Sequence, residues 1–285
     1  MKRLVLMFVV LVFGVTFTFS VVAQHEHDLN KPLRAAVDMG YVPFAFVTET
    51  GEEVGFAIDL AKALAERMGR PGVEIVSVVW AGIFAALDAG VVEFIVAPTN
   101  IRMSRAENML FTEPYMDTAQ LIAVNARLAG KVKSFNDLAG LVIGVNTGSV
   151  SDEWLVQNQH YGFIIERYDN LLDALLAVDT GRIDAVIGDY EAVAYAAKGR
   201  PNVVPVLTIT GEEKYGLVCR KGDREFRNEL ERALEGLKFD GTLYRIYLKW
   251  FGIPPEPTSS TMVVYVGYGA PGFPGYELTF HEPKF

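Results

Sequence analysis

Apolar runs of strand length alternate with stretches of helical periodicity, and the alternation occurs twice along the chain. In the first series, residues 33–37 and 44–47 read as strands. Residues 58–69 carry Leu60, Ala61, Leu64, Ala65 and Met68 on one helical face and stop at Gly69. Residues 73–79 are β-rich, 83–90 form a short helix with Ile83, Phe84 and Leu87 on one side, and 91–97 read as a buried strand. The second series predicts strands at 141–145, 164–168 and 183–187, with helices at 149–157, 171–178 and 191–198 between and after them. Extended segments at 203–207 and 215–220 follow, then helices at 224–239 and 243–250. A β-α-β-α-β order gives a mostly parallel sheet covered by helices. Two such units, with chain returning after the second, predict two lobes joined by two or more crossings, near 117–120 and 209–213. Ligands of open α/β sheets bind beyond the carboxyl ends of the strands, so two facing lobes share a cleft.

The front of the chain bears on location. Lys2 and Arg3 precede an apolar run over residues 4–22, and Val21-Val22-Ala23 offers small residues before Gln24. This is the pattern of a secretory signal over 1–23, cleaved after Ala23. The alternative is an uncleaved anchor, since the run approaches the roughly 20 residues of a membrane span. Cys219, the one cysteine, lies far from this segment, which excludes lipid attachment behind the signal and any internal disulfide. The expected location is periplasmic or otherwise extracytoplasmic. Cleavage removes two positive charges and no acids, so the remainder is more acidic than the −9 of the whole, and nucleic acid is excluded as a partner.

Residues 24–32 read as a loose polar leader. From Pro254 onward, prolines and glycines interrupt the apolar runs at 262–268 and 276–280, predicting either a hairpin or a disordered extension. Gly267, Gly269 and Gly272 form a G-x-G-x-x-G string without a surrounding βαβ unit, so no nucleotide site is expected there. Catalytic and metal signals are weak. His25 and His27 sit in the leader and His281 in the tail, leaving His160 as the one histidine of the body, and no Cys/His cluster has metal spacing. Neither a metal nor a cofactor is expected. Cys219 reads as a buried, inert thiol.

The segments VDMGYVPFAF (37–46), EEVGFAIDLAKALAERMG (52–69), TNIRMSRAENMLFTEPY (99–115), GVNTGSVSDEWL (144–155), GRIDAVIGDYEAVAY (181–195), YGLVCRKGD (215–223) and GTLYRIYLKWFG (241–252) occur in this order. Together they resemble the bacterial extracellular solute-binding proteins of family 3, which bind polar amino acids for ABC importers. The resemblance covers about residues 33–253. It implies a two-lobed type II periplasmic-binding-protein fold, each lobe a mixed, mainly parallel sheet flanked by helices. One lobe would comprise residues 33–117 plus 211–253 and the other 120–208, with a two-crossing hinge and an extra segment at 254–285. The implied partners are a free amino acid and the membrane permease of an ABC importer, with the protein itself a monomer.

The resemblance also assigns a site. A carboxylate calls for an arginine fork. The family's arginine stands six residues before the Phe of F-[ST]-x-P-Y, here Arg105 before Phe111, with Arg102 as competitor. The helix start at Gly148, Ser149, Val150 and Ser151 offers free N–H groups to the same carboxylate, although Ser149 or Ser151 could equally serve as caps. Asp189 matches the ammonium ligand, with helix capping as its alternative. Asn100 stands where the family usually has Ser or Thr, and Pro98 where it usually has a small residue. Tyr41 and Trp80 match the aromatic pair around the ligand side chain, unless they are ordinary core aromatics. Asp38 and Asn146 match positions at the side-chain end and favour a basic or amide group. Two rivals remain: a secreted cyclohexadienyl dehydratase using Glu191 as general acid, and a sensor module, which would need a membrane helix and signalling domain after the lobes.

Overall fold

The computed structural model describes residues 27–285. The signal expected over 1–23 and His25 lie outside the described residues. Two five-stranded sheets organise the chain. The first is built from β1 (Leu33–Val37), β4 (Val73–Ser77), β5 (Phe94–Ile95), β6 (Met109–Phe111) and β12 (Val218–Arg220), in the order β4-β1-β5-β12-β6. A small hairpin of β2 (Phe46–Val47) and β3 (Glu53–Val54) stands beside it. The second sheet contains β7 (Met116–Asn125), β8 (Val142–Asn146), β9 (Ile164–Tyr168), β10 (Ala185–Asp189) and β11 (Val203–Tyr215), in the order β11-β7-β10-β8-β9. Each sheet is mixed and mainly parallel: β12 is the reversed strand of the first and β7 that of the second.

Helices cover both faces of each sheet. In the first lobe, α1 (Phe56–Arg67), α7 (Arg224–Phe239) and α8 (Thr242–Phe251) pack on one face. There Leu60, Leu64, Leu230 and Leu234 join Phe44 and Phe56 in a continuous core. The other face packs Ile83 and Leu87 of α2 (Ile83–Asp88) against Ile95 and Val218. In the second lobe, α5 (Leu171–Asp179) and α6 (Tyr190–Lys198) bury Leu175, Val178 and Val193 on Val186, and α4 (Val150–Gln157) places Leu155 on Val145 and Ile187. Apolar burial at about 25 cal/mol per Å2 on both faces explains why the strands are continuous apolar runs rather than alternating ones.

Two long strands carry the chain between the lobes. β7 and β11 pair antiparallel, Tyr215 with Met116 at one end and Val203 with Asn125 at the other, with a register shift between Ile209 and Glu213. Lys214 opposes Asp117 there, so both connections run side by side.

Two expectations need correction. His27 is not part of a loose leader: its ring stacks on Phe226 at 3.9 Å and its Nδ1 lies 2.9 Å from Glu93 Oε1. Burial works against the Glu93 carboxylate, yet His27, the Arg34 amide and Arg70 together hold it at about 2. Nor is 254–285 a disordered extension. It runs along α7, with one antiparallel bridge between Tyr268 and Glu277 as its only hairpin feature among the described residues. Gly269 N donates to both Glu231 oxygens at 2.7 and 2.8 Å. A Cβ on Gly269, whose φ is +87°, would fall 2.4 Å from Arg227, so this glycine permits close docking of the tail. Lys238 Nζ reaches Glu113 at 2.6 Å and Val263 O at 2.8 Å, and His281 Nε2 lies 2.7 Å from Glu235.

Candidate functional site

The strand ends decide where the site lies. The chain leaving β1 carries Asp38, that leaving β4 carries Trp80, and that leaving β5 carries Ala97, Pro98 and Asn100. From the facing lobe come Asn146 at the end of β8, Ser149 and Val150 at the start of α4, and Asp189 at the end of β10. All of these, with Tyr41, Ser151, Leu171, Ile187 and Gly188, surround one cavity between the sheets. Nine of the ten expected site residues thus meet there. The tenth, Arg105, lies outside that ring on α3 (Met103–Ala106). It is buried behind the ring, its guanidinium 5.3 Å from the Trp80 ring centre and 5.4 Å from that of Phe84. Its Nη1 donates to Asn100 O at 3.1 Å, which engages one of its five N–H donors.

Ser149 combines capping with a place at the cavity, whereas the Asp189 side chain does not cap. Ser149 is the N-cap of α4, and its hydroxyl accepts from Asp152 N at 3.2 Å. Asp189 also occupies an N-cap position, that of α6, but its side chain makes no capping bond. Instead Oδ2 accepts from Tyr41 OH at 2.6 Å and Oδ1 from Gln120 Nε2 at 2.7 Å. Gln120 in turn accepts from Ser151. Gly188 keeps this corner tight, since a Cβ there would meet Leu171 Cδ1 at 2.9 Å. Trp80 Nε1 donates to Gly148 O at 3.3 Å. Tyr41 and Trp80 therefore each donate one hydrogen bond from the first lobe to the second. Both bonds cross the cleft beside the cavity, so the lobes part only when both break.

The polar groups around the cavity are mostly acceptors. Burial pushes the Asp38 carboxyl up to about 6, partly offset by the Trp80 amide that donates to it. Asn146 Oδ1 is buried without a hydrogen-bond partner, a position that costs about 1–3 kcal/mol unless a donor arrives. Burial also lowers the pKa of Arg105, against the opposing attraction of Glu153 and Asp189. Among the described residues, no histidine, lysine or cysteine lines the cavity. Cys219 is fully buried in β12, and burial pushes its thiol far up.

Sequence reasoning missed Gln120 and Leu171, and it named Ser151 only as part of the helix start or as a cap, whereas its hydroxyl donates to Gln120. Gln120 is a buried polar residue inside an apolar strand, a signal that a strand reading of 116–125 would have exposed.

Glu191 stands one step behind the site. Burial pushes its carboxyl up to about 7, against the hydrogen bond from Thr118 Oγ1 at 2.7 Å. A raised carboxyl pKa means that the folded state holds more protons than the unfolded state between about pH 4.5 and 7. Stability therefore falls as pH rises through that window. Glu191→Gln is expected to leave stability near pH 4 unchanged and to raise it by about 2 kcal/mol at pH 8, after a discount for partial exposure. Urea melts at both pH values check this. Parallel pH profiles for both proteins would refute it.

Residues 33–253 match the bacterial extracellular solute-binding proteins, family 3. The putative ABC transporter arginine-binding protein 2 of Escherichia coli (strain K12) is 30% identical over 226 residues, covering 78% of this chain and 91% of that protein. Among solved structures, an ancestral arginine-binding protein bound to arginine superposes with a TM-score of 0.74 at 35% identity, covering 79% of this chain and 100% of the other. An ancestral amino acid-binding protein, a precursor of cyclohexadienyl dehydratase, gives 0.72 at 36% identity, covering 77% and 95%. With two mixed sheets meeting across an acceptor-rich cleft and the family match spanning both of them, the chain belongs to the bacterial extracellular solute-binding proteins, family 3.

Proposed function

We propose that this protein captures a free amino acid with a polar or basic side chain outside the cytoplasmic membrane and delivers it to the permease of an ABC importer. The observation that carries this reading is the convergence of acceptors on one cavity: Asp38, Asn146 Oδ1, Asn100 and Asp189. A donor-bearing side chain supplies the proton that Asn146 Oδ1 lacks, and an ammonium group puts a full charge on Asp189 in place of the neutral Tyr41 hydroxyl. Arg105 and the N–H groups at the start of α4 meet the carboxylate. The ligand's ammonium displaces the Tyr41 hydroxyl from Asp189, so the lobe-closing bond is exchanged rather than lost. Similarity to arginine-binding proteins supports the basic side chain. The Lys2, Arg3 and apolar 4–22 pattern supports export by a cleaved signal.

Binding is favoured over dehydratase chemistry by the position of Glu191. It is absent from the ring around the cavity, and its Oε2 faces Thr118. Calorimetric titration with the twenty amino acids tests the proposal. At least one donor-bearing ligand is expected to bind with a Kd of about 1 μM. For a basic ligand, affinity should fall as pH drops through about 6 and Asp38 is neutralised. Absence of heat with all twenty, together with phenylpyruvate formation from prephenate, would favour the enzyme instead.

A further inference from the structure

Asn100 departs from the Ser or Thr usual at its position, and its surroundings hold it tightly. Its backbone is pinned to the end of β11: Ile101 N donates to Lys214 O at 2.9 Å, Gly216 N donates to Thr99 O at 3.1 Å, and Asn100 itself bridges Tyr215. Its side chain is pinned as well. Nδ2 donates to Glu213 Oε2 at 3.1 Å, while the other Glu213 oxygen lies 2.6 Å from Arg102 Nη2. Glu213 stands where the β11–β7 register shifts, on the chain that returns to the first lobe. None of the hydrogen bonds among the described residues uses Asn100 Oδ1, and Asn100 lines the cavity.

A free Asn amide can present either its oxygen or its nitrogen to a ligand, and the two choices have opposite meaning. Presenting Nδ2 would repel an ammonium group, whereas presenting Oδ1 would bind it. A carboxylate on one side of the amide removes the ambiguity, because it accepts only from Nδ2. We propose that Glu213 is a positioning residue for ligand recognition: held by Arg102, it fixes the Asn100 amide so that Oδ1 faces the cleft as an acceptor for the ligand's ammonium. The proposal rests on amino-acid binding as proposed above. It also gives the two arginines of this segment different tasks. Arg102 is spent on Glu213, and carboxylate recognition is left to Arg105.

Two measurements test it. The first needs no ligand. In 15N-labelled protein, one Asn100 side-chain amide proton is expected to be shifted downfield by the carboxylate. That shift should collapse in Glu213→Ala and also in Glu213→Gln, whose one amide oxygen is claimed by Arg102, leaving an NH2 that can only donate toward Asn100. An Asn100 signal unchanged in Glu213→Ala overturns the proposal, whether or not any amino acid binds. The second is calorimetry with L-arginine, followed by the other nineteen amino acids if arginine gives no heat. Glu213→Ala and Glu213→Gln are each expected to weaken binding about 10-fold. Arg102→Ala, which keeps the carboxylate but lets Glu213 rotate, has a smaller effect and serves as the second variant if Glu213→Ala does not fold. In an Asn100→Ser background, Glu213→Ala should cost nothing further. An equal loss in that background means that Glu213 acts by another route, and the assignment fails. If wild type binds none of the twenty, the amino-acid reading fails while the NMR measurement still decides the orientation.

Discussion

Alanine in place of Asp189 is expected to weaken ligand binding by at least about 100-fold. Among the carboxylates of the cavity, Asp189 is the one whose two oxygens already accept from both lobes, through Tyr41 and Gln120. A ligand ammonium arriving there exchanges with a hydroxyl and keeps a full charge opposite it. Without Asp189 the ammonium enters a closed site with only Asn100 Oδ1 and neutral carbonyls, and breaking a buried charge pair costs about 3–5 kcal/mol. Folding should not suffer in parallel. Asp189 adds to the charge repulsion that raises Glu191, so its removal leaves thermal stability unchanged or slightly higher. Calorimetry and a melt on the same preparation separate the two effects. A loss under about 5-fold, or a binding loss matched by a collapse of the melting temperature, would contradict this assignment.

The second large effect concerns the tail. Deleting residues 254–285 should cost about 4 kcal/mol or more, roughly a 10 °C fall in melting temperature. Arg227, Glu231, Glu235 and Lys238 recur along one side of α7, and all are nearly or fully buried. The tail supplies partners to each: Gly275 O to Arg227 at 3.0 Å, Gly269 N to Glu231, His281 to Glu235 and Val263 O to Lys238. It also reaches the crossing strands, where Ser260 N donates to Asp117 Oδ2 at 3.0 Å and Lys214 Nζ donates to Tyr265 OH at 3.0 Å. A truncated protein melting within about 2 °C of full length would show that these contacts carry little stability.

The same stripe on α7 shows where sequence reading stops. The span 224–239 is legible because its apolar residues recur at helical spacing, and the helix occupies those positions. Its charged positions read as a solvent face, because nothing local reveals that a Gly- and Pro-rich segment will lie on them. Burial and pairing also diverge: Val92, Val96 and Ala97 are buried as expected for a strand over 91–97, yet only Phe94–Ile95 forms a ladder. β11 runs through Pro205 and Gly211, normally strand breakers, because register shifts absorb them. Within β7 the sequence predicts only a crossing near 117–120, since the strand begins with the mixed residues of the hinge before turning apolar.

The candidate site is legible in the sequence to the extent that its residues sit at strand ends. Asp38, Asn146 and Asp189 close or follow strands that apolar runs define. Glu213, Gln120 and the diversion of Arg102 are not, because they depend on two crossing strands brought together over about a hundred residues of chain.

The most direct test of the account is a crystal structure of the protein with an amino acid that it binds in solution. The account predicts the ligand between Tyr41 and Trp80, its ammonium within hydrogen-bond distance of Asp189 and Asn100 Oδ1, its carboxylate on Arg105 and the first N–H groups of α4, and its side chain directed to Asp38 and Asn146. A ligand bound outside this cleft, or one in the cleft with its carboxylate turned toward Asp189, would contradict it.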